Sequence, residues 1–392
     1  MRVGLDLHTV TGLMQGSRTY MVNLAQRLPA AAPEMHFVFY LPDPDAPVAR
    51  ELAAGAANVT VRPIPKGRFS RLVWPFPGRL AREVDVFHCQ YLAPLLPCVP
   101  CVVTLHDILH ETMPQYFPQG LNRLMRLLYP QSARRAAMVL TVSRYCREEI
   151  IARYGVAPER IAFAHNGVDE SFAPVTDPAV LAAMRAALGL PDGPYILSLG
   201  RIEPRKNLSG LVAAYALVRR HLGKRAPSLV LAGGRDALFT AFHDAIRASG
   251  EGEGVVFAGS VPQELVPALL SGAAVFAYPS FGEGFGLPVL EAMACGTPVV
   301  AGSAPAVPEV AGDAALLVDP ADVAAIADAL CRVVTDSELS RNLSEKGIAR
   351  AGRFRWDESV HLALAAYRLA AAGGRRKTGT AFSAKSVRMP PF

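Results

Sequence analysis

Short apolar runs rich in Val and Leu alternate along the chain with longer amphipathic stretches. Uninterrupted apolar runs are typical of parallel strands that helices cover on both faces, so the pattern predicts an α/β protein. The predicted strands of the first half are Arg2–Leu7, His36–Tyr40, Val59–Pro63, Val84–Cys89, Cys101–Leu105, Met138–Val142 and Arg160–Ala164. Those of the second half are Tyr195–Leu199, Ser228–Ala232, Gly254–Ala258, Ala274–Tyr278, Pro298–Ala301 and Ala315–Val318.

The interval 168–194 separates the two series of strands, because acidic, Pro and Gly residues gather there around one Ala-rich helical stretch. Two series of similar size predict two doubly wound, Rossmann-like domains that face each other across a deep cleft. We expect an N-terminal domain over 1–174, a C-terminal domain over 175–356, a final helix over 357–371 that returns toward the N-terminal domain, and a tail over 372–392.

The composition excludes several classes of protein. With 51% hydrophobic and 19% charged residues, the 392-residue chain is too apolar for disorder and too long for one ordinary core. Six cysteines are too few for a secreted disulfide scaffold, and no run of 18 uncharged apolar residues could form a spanning helix. Asp6 and His8 interrupt the apolar stretch that a signal peptide would need. We therefore expect a cytoplasmic protein.

The positive charge is concentrated at the end of the chain. Five of the six net positive charges lie within 371–392, which holds no acidic residue. The rest of the chain is nearly neutral, so a nucleic-acid partner is not expected. The tail contains Gly, Ser and Pro without hydrophobic periodicity, which predicts disorder.

Cations follow the strand Tyr195–Leu199, in the segment Gly200-Arg201-Ile202-Glu203-Pro204-Arg205-Lys206-Asn207. An amphipathic helix follows at once, and a helix N-terminus is electropositive, so Arg201 and Lys206 are unfavourably placed there unless they bind an anion. A diphosphate is the kind of anion that such a site fits. The alternative is that Arg201 pairs with Glu203 on the surface.

The segment after the strand Ala274–Tyr278 contains three glycines within five residues, at 282–286, and two glutamates, Glu283 and Glu291. Glycines allow the backbone of Gly284, Phe285, Gly286 and Leu287 to approach a ligand and present its amides. A carboxylate accepts two hydroxyl hydrogen bonds at once, which suits the vicinal diol of a ribose or hexose. For Glu283 the alternative is a capping acid at a helix N-terminus.

These motifs resemble those of glycosyltransferase family 4, whose members are retaining nucleotide-sugar transferases of the GT-B fold, and the chain is most similar to bacterial mannosyltransferase-like members. The resemblance covers about residues 1–370. Its motifs are Thr104-Leu105-His106-Asp107, Gly200-Arg201 with Lys206-Asn207, the run from Glu283 to Glu291, and Pro308-Glu309.

The resemblance implies a role for each candidate residue. Arg201 and Lys206 would neutralise the donor diphosphate, Glu283 would hold hydroxyls of the donor sugar, and Glu291 would bind the ribose diol. His106 would lie near the transferred sugar, although a lone His after a strand is more often structural. No metal and no cofactor is implied, because the nucleotide-sugar is a substrate.

The loop after the first strand is expected to close under the donor phosphates through Gly12 and Gly16. Here the sequence departs from the family, since many relatives have a Gly pair followed by Gly-Arg-Tyr. An ordinary strand-to-helix turn is the alternative for this loop. Cys98 and Cys101 form a lone Cys-x-x-Cys, which we interpret as packing rather than a zinc site.

The stretch 66–82 combines five cations with Phe69, Trp74 and Phe76 and holds no acid. Basic and aromatic groups together favour an anionic lipid surface, here the inner face of the cytoplasmic membrane, and a solvated basic loop is the alternative. The expected partners are a nucleotide-diphosphate sugar and a glycan or lipid-linked acceptor.

The sequence thus predicts a retaining, metal-independent hexosyltransferase of cell-surface polysaccharide or lipopolysaccharide synthesis, with mannose or rhamnose as the transferred sugar. Two alternatives remain open. A nucleotide-sugar epimerase of the same architecture would bind the same donor, and so would a non-catalytic binding protein.

Overall fold

A computed structural model describes residues 1–11, 15–66, 77–96, 98–234, 237–249 and 252–377. The chain forms two compact units. The N-terminal unit consists of Met1–Gly167 together with the segment that begins at Arg355, and the C-terminal unit is Val168–Phe354. Each unit contains one parallel sheet with helices around it, so the fold class expected from the sequence, α/β with two doubly wound sheets, is confirmed.

Seven strands form the sheet of the N-terminal unit in the order β3-β2-β1-β4-β5-β6-β7. The strands are short and, except for the edge strand β3, mostly buried, and apolar side chains such as Val103 and Val139 form the core on one face. The strands are β1 Arg2–Asp6, β2 His36–Leu41, β3 Val59–Pro63, β4 Val86–Gln90, β5 Cys101–Thr104, β6 Met138–Thr141 and β7 Ile161–Phe163.

The helices of this unit are α1 Gly16–Ala31, α2 Pro47–Ala53, α3 Pro77–Glu83, α4 Leu109–Thr112, α5 Gln119–Arg135, α6 Arg144–Tyr154 and α15 Trp356–Lys377, with short 3-10 turns at Pro114–Tyr116 and Pro158–Arg160. Local sequence explains several helix ends. Ser143 caps α6 by accepting from the amide of Cys146 at 3.1 Å, and Gly155 ends it in the left-handed conformation.

Six strands form the sheet of the C-terminal unit in the order β10-β9-β8-β11-β12-β13. They are β8 Tyr195–Leu199, β9 Ser228–Ala232, β10 Val255–Gly259, β11 Val275–Tyr278, β12 Val299–Gly302 and β13 Leu316–Val318. The helices are α7 Pro178–Leu188, α8 Leu208–Leu222, α9 Ala237–Ser249, α10 Val266–Ser271, α11 Leu287–Ala294, α12 Val307–Ala311, α13 Val323–Thr335 and α14 Ser337–Ala351, with 3-10 turns at Pro204–Lys206, Gly223–Arg225 and Gln263–Leu265.

Both sheets reverse their strand order at the same relative place, between β1 and β4 and between β8 and β11. Ligands of doubly wound sheets bind beyond the carboxyl ends of the strands at such a switch point. The residues after β8 and β11 in one unit, and after β1 and β4 in the other, are therefore the places where a site is expected.

The chain passes between the units at Gly167/Val168 and again at Phe354/Arg355, whereas the sequence placed the first boundary at 174/175. Gly167 lies so close to Trp356 that a Cβ atom would stand 2.2 Å from the Trp356 amide nitrogen. Only glycine fits at this crossing, where α15 begins and rejoins the N-terminal unit. The helix continues to Lys377, beyond the expected end at 371, and residues 378–392 of the predicted tail lie outside the described residues.

Strand β4 begins two residues later than predicted. The amide of Val84 donates to the carbonyl of Leu80 at 2.9 Å and so belongs to the end of α3, and the amide of Asp85 donates to the carbonyl of Arg2 at 2.8 Å. Val84, the first apolar residue of the predicted strand, therefore belongs to the end of the helix and not to the strand. Of the other twelve predicted strands, three have the observed bounds and nine differ from them by one residue at one end or at both ends.

Candidate active site

The turn after β8 is shaped by a glycine, a proline and an asparagine. Gly200 has φ +147°, and its amide donates to the carbonyl of Ala232 on β9 at 2.9 Å. Pro204 starts the 3-10 turn that ends at Lys206. Asn207 follows with φ +56° and donates from Nδ2 to the carbonyl of Pro320 at 2.6 Å. This bond to a residue outside the turn fixes the conformation of Asn207. The turn therefore presents its cations from a rigid backbone.

A shallow pocket opens at the carboxyl ends of β8, β9 and β11. Its walls include Ser198, Gly200, Arg201, Lys206, Ala232 and Tyr278. The backbone of Gly200 and two cationic side chains thus surround one hollow at the switch point of the sheet. This arrangement is suited to an anionic ligand.

Five charged side chains form an alternating chain next to this pocket. Arg201 Nη1 lies 3.1 Å from Glu203 Oε1, and Glu203 Oε2 lies 2.9 Å from Arg205 Nε. Arg205 Nη1 lies 2.9 Å from Glu283 Oε2, and Lys206 Nζ lies 2.7 Å from Glu283 Oε1. The pairing of Arg201 with Glu203, which the sequence left as the alternative, is what the structure contains.

Glu283 is buried, with 6% of its surface exposed. Burial alone would raise the pKa of its carboxyl group, but the charges of Lys206 and Arg205 and their hydrogen bonds outweigh that effect and lower the pKa to about 2. Burial lowers the pKa of the Lys206 amine, against the attraction of Glu283. Lys206 also bonds the hydroxyl of Tyr278, over whose ring its Nζ lies 4.6 Å from the centroid.

Arg205 ties the glycine-rich loop to the turn after β8. Its carbonyl accepts from the amide of Phe281 at 2.8 Å, and its Nη1 donates to the carbonyl of Gly282 at 2.9 Å. Together with the ion pair to Glu283, these contacts fix three successive loop residues. The sequence showed Arg205 only as one of three cations, and nothing in its spacing distinguished it as the residue that organises the loop.

The loop leads into α11 through Gly286, which has φ +106°, and Pro288 lies in the first turn of the helix. Gly284, Phe285 and Leu287 are buried around it, and the ring of Phe285 packs edge-on against Phe354 at 6.0 Å. Because Gly286 occupies the capping position, Glu283 is not the capping acid that the alternative interpretation required.

Glu291 lies in the second turn of α11 and is partly buried. Burial raises the pKa of its carboxyl group to about 7. The side chain makes no hydrogen bond or ion pair with any described residue. An unpaired carboxyl group of this kind is available to a ligand, and it stands in contrast to the fully paired Glu283.

His106 follows β5 in the N-terminal unit and is 7% exposed. Its Nε2 lies 3.0 Å from Gln90 Oε1, and the ring of Tyr20 meets it edge-on at 5.0 Å. Burial and, to a smaller extent, nearby His88 lower the pKa of its imidazole to about 3, so the ring is neutral. Sequence reasoning found His106 but missed Gln90, which carries no motif of its own.

Several other residues singled out in the sequence lie next to or outside the described residues. Gly16 is the first residue of α1, whereas Gly12 lies outside the described residues. Of the stretch 66–82, residues 67–76 also lie outside them. Cys98 and Cys101 are free thiols, and Cys101 is buried at the start of β5. Over the described ranges, no three His, Cys, Asp or Glu side chains come together as possible metal ligands.

Helices long and apolar enough to cross a membrane do not occur among the described residues.

Two family models match the chain. Residues 14–172 match the model described as Glycosyltransferase Family 4, and residues 182–350 match the model described as Glycosyl transferases group 1. The chain is 37% identical over 273 residues to the O-antigen chain mannosyltransferase B of Escherichia coli, covering 68% of this chain and 70% of that protein. It is 30% identical over 258 residues to the serotype-specific mannosyltransferase WbdA of Escherichia coli. This match covers 32% of the length of that protein.

Solved structures share the fold. Sucrose-phosphate synthase from Thermosynechococcus elongatus superposes with a TM-score of 0.74 at 23% identity, covering 94% of this chain and 98% of that one. HepE from Anabaena in complex with UDP-glucose superposes with a TM-score of 0.72 at 23% identity, covering 93% of this chain and 99% of that one. At these identities the likeness concerns the fold.

Proposed function

Since the chain belongs to glycosyltransferase family 4 and is a glycosyltransferase of the GT-B fold, we propose that it transfers a hexose, with mannose favoured over rhamnose, from a nucleotide-diphosphate sugar to a glycan or lipid-linked acceptor in cell-surface polysaccharide synthesis. The name of the O-antigen mannosyltransferase relative supports both the sugar and the process. The observation that carries the proposal is the cluster in which Lys206 and Arg205 hold Glu283 beside the pocket after β8.

Departure of the donor diphosphate is the step that the cations assist. As the glycosidic bond breaks, negative charge develops on the leaving phosphate, and fixed cations at a pocket with limited access to water stabilise that charge. We assign this role to Lys206 and Arg201. Arg201 is 38% exposed and is paired with Glu203, so it can turn toward an incoming phosphate.

The environment of Glu283 argues against a covalent route to retention. A carboxylate whose pKa is about 2, and whose two oxygens each face a cation, is a weak base and a weak nucleophile. We propose that Glu283 binds donor-sugar hydroxyls through its remaining lone pairs. Retention then follows from attack on the front face of the sugar, with a donor phosphate oxygen accepting the proton of the acceptor hydroxyl.

We assign the nucleoside end of the donor to α11 and the sugar end to His106. Glu291 would accept the two hydroxyls of the ribose, and the amides of Gly284, Phe285, Gly286 and Leu287 would face the sugar and phosphates. We also assign donor contacts to Gly12 and Gly16, as the resemblance to the family implies. Catalysis is proposed to need no metal ion, because lysine and arginine supply the charge that a metal would otherwise provide.

Donor turnover tests this function. The purified protein is incubated with GDP-mannose, dTDP-rhamnose, UDP-glucose, UDP-galactose and UDP-GlcNAc in the presence of EDTA, and release of nucleoside diphosphate is measured. We expect turnover of one donor, lost in Lys206→Ala and Glu283→Ala and kept in Glu253→Ala, whose exposed pair with Arg219 lies at the sheet edge. Equal activity of all variants would refute the assigned site.

An epimerase would also bind these donors, so product analysis is needed. Transfer of radiolabelled sugar to an acceptor distinguishes a transferase from an epimerase, which would return the donor with altered stereochemistry. A binding protein without activity would show donor affinity but neither product. The transferase relatives favour the first outcome.

We further propose that the protein works on the cytoplasmic side of the membrane and binds its anionic surface peripherally. Helix α5 supports this for the described residues, since it holds Arg123, Arg126, Arg134 and Arg135 and no acid. Arg126 pairs with Glu111 at 3.0 Å, so part of this charge is already compensated. Leu96 and Leu127 are exposed by 73% and 58%.

Flotation with anionic vesicles tests the membrane proposal. We expect the wild type to float and Leu96→Ser with Leu127→Ser to float less. Val180→Ser, which changes an apolar residue of the C-terminal unit that is 45% exposed, is the control and should behave as the wild type. No binding of the wild type to anionic vesicles would contradict the proposal.

A further inference from the structure

Three neighbouring strands of the N-terminal unit end in a row of polar side chains, two of them buried, that the proposed mechanism does not use in full. Thr9 follows β1, Gln90 is the last residue of β4, and His106 follows β5. These strands lie side by side in the order β1-β4-β5, so their carboxyl ends bring the three residues together. Gln90 is 1% exposed and stands between the other two.

The two ends of the Gln90 amide face different partners. Its Nε2 donates to Thr9 Oγ1 at 2.8 Å, and its Oε1 lies 3.0 Å from His106 Nε2. An amide oxygen can only accept a hydrogen bond. The imidazole of His106 must therefore carry its proton on Nε2, and a neutral ring with a proton on Nε2 has a lone pair on Nδ1.

We infer that Gln90 is a positioning residue of the active site, which holds His106 as the neutral Nε2–H tautomer and leaves Nδ1 as a hydrogen-bond acceptor. This inference rests on the proposed function, because it matters for the reaction only if His106 lies near the transferred sugar. It also names the chemistry that His106 recognises. A lone pair on Nδ1 accepts a bond from a hydroxyl group, whereas it repels a phosphate or carboxylate oxygen.

The surroundings of His106 fix the plane of the ring as well as its proton. The ring of Tyr20 from α1 meets it edge-on at 5.0 Å, and Tyr91 lies against it at 5.5 Å. Tyr91 adopts φ +60°, a conformation that costs a bulky residue free energy, and its amide donates to the carbonyl of Thr104 at 2.9 Å. The Sγ of Cys146 on α6 lies 3.4 Å from the His106 carbonyl oxygen.

The titratable groups around the ring keep it neutral over the physiological pH range. Burial and the neighbouring His88 lower the pKa of His106 to about 3. Burial raises the pKa of Tyr20 to about 12, so that side chain carries no charge either. Asp107 follows in the chain and accepts from the amide of Leu109 at 3.1 Å. Because no charge fixes the proton of His106, the direction of the Gln90 amide has to do so.

Nitrogen NMR of the full chain labelled with ¹⁵N-histidine tests the assignment, with His106→Asn identifying the resonance. We expect the wild type to show a protonated Nε2 and an unprotonated Nδ1, unchanged between about pH 5.5 and pH 8. Gln90→Leu removes the acceptor and should give a mixture of tautomers. Gln90→Glu replaces the amide by a carboxylate, which should raise the pKa of His106 so that it titrates within this range.

Thr60→Val is the matched control, since Thr60 is the side-chain partner of another histidine, His36, at 2.8 Å. It should change the His36 resonances and leave those of His106 as they are. A proton on Nδ1 in the wild type, or an unaltered His106 tautomer in Gln90→Leu, would overturn the assignment.

Turnover connects the tautomer to the reaction. Misplacement of a group that the reaction needs in one orientation costs about 10- to 100-fold in activity. We expect Gln90→Leu to lower kcat by this factor with the KM for the donor changed less than about twofold, and Gln90→Glu to recover part of it with a new dependence on pH. A changed tautomer with unchanged kcat would overturn the positioning role. Absence of turnover in the wild type would refute the proposed function alone, because the spectra would still decide the tautomer.

Discussion

Lys206 Nζ donates a hydrogen bond to Glu283 Oε1 at 2.7 Å, although 77 positions separate the two residues in the chain. The contact joins the turn after β8 to the loop after β11, and these strands are neighbours in the sheet. Arg205 holds the other oxygen of the carboxylate at 2.9 Å. Because this buried carboxylate holds the loop after β11 to two cations, the geometry of that loop depends on the ionisation of Glu283.

The Glu283 carboxylate is expected to supply stability that is lost in acid. Its pKa is about 2 in the folded protein and 4.5 without the protein environment. The unfolded chain therefore binds the proton more tightly, and the stabilisation, about 3 kcal/mol, is present above pH 4.5 and disappears as the pH falls toward 2. Urea unfolding at several pH values between about 2.5 and 6 measures it.

Glu283→Gln should remove this acid-dependent part and should also destabilise the protein near neutral pH by about 3 kcal/mol, because the partly buried Lys206 loses its carboxylate partner and Arg205 keeps only Glu203. Glu253→Gln, which breaks an exposed pair with Arg219, should follow the wild type. The explanation fails if Glu283→Gln and the wild type lose stability in parallel on acidification.

We expect Glu203 to compete with a ligand phosphate for Arg201. Its two oxygens bind Arg201 at 3.1 Å and Arg205 at 2.9 Å. Glu203→Gln removes one negative charge and should tighten binding of a nucleoside diphosphate by about threefold to tenfold, equivalent to roughly 1 kcal/mol. Isothermal titration at low and high salt measures the affinity.

The gain in Glu203→Gln should shrink as salt increases, since screening weakens charge competition at a partly exposed site. Glu253→Gln removes one negative charge from the same unit without touching the cluster, and should bind as the wild type does. Weaker binding in Glu203→Gln would mean that Glu203 orients the arginines for the ligand instead of competing with it.

The two sheets could be predicted because buried parallel strands correspond to short apolar runs in the sequence. The run Tyr195–Leu199 is apolar except for Ser198, and its observed bounds agree with the prediction. Ends of elements were less predictable where two elements share a residue. Val84 belongs to the end of α3 through its bond to Leu80, and a local apolar pattern contains no sign of that bond.

The candidate residues were found by type and spacing, whereas their pairing was not. Glycines and cations after β8 and β11 indicated a site for an anion, because such residues are costly there without a ligand. The pairing of these charges depends on the directions of side chains that lie about 77 positions apart in the chain. The role of Arg205 between Glu203 and Glu283 was therefore missed. Gln90 was missed for the same reason, since its function depends on a contact with the next strand.

Glu291 is expected to reduce stability at alkaline pH, opposite in sign to Glu283. Burial raises its pKa to about 7 from 4.5. The folded state therefore binds this proton more tightly than the unfolded chain, and stability falls as the pH rises from 4.5 through 7. Glu291→Gln should match the wild type near pH 4.5 and exceed it near pH 8, by at most about 3 kcal/mol.

The same variant should bind nucleoside diphosphate more weakly, because an amide accepts fewer hydroxyl bonds than a carboxylate. Thermal unfolding at both pH values and a nucleotide titration separate the two effects. A variant that is less stable than the wild type at pH 8 would show that Glu291 is not the destabilising buried acid that its environment implies.

Ala306 is strained at the start of α12, with φ +69° and ψ −30° and only 3% exposure. A positive φ costs a residue with a Cβ about 1–3 kcal/mol. Glycine removes this cost, but its larger entropy in the unfolded chain cancels part of the gain. Ala306→Gly should therefore raise the free energy of unfolding by about 0.5–1 kcal/mol, and Ala306→Val should lower it by about 2 kcal/mol or more. Gly189→Ala is the reverse control, since Gly189 has φ +60° with no atom near a Cβ, and should lose about 1 kcal/mol. Denaturant unfolding measures all three, and an Ala306→Gly protein clearly less stable than the wild type would mean that the methyl group contributes more by packing than it costs by strain.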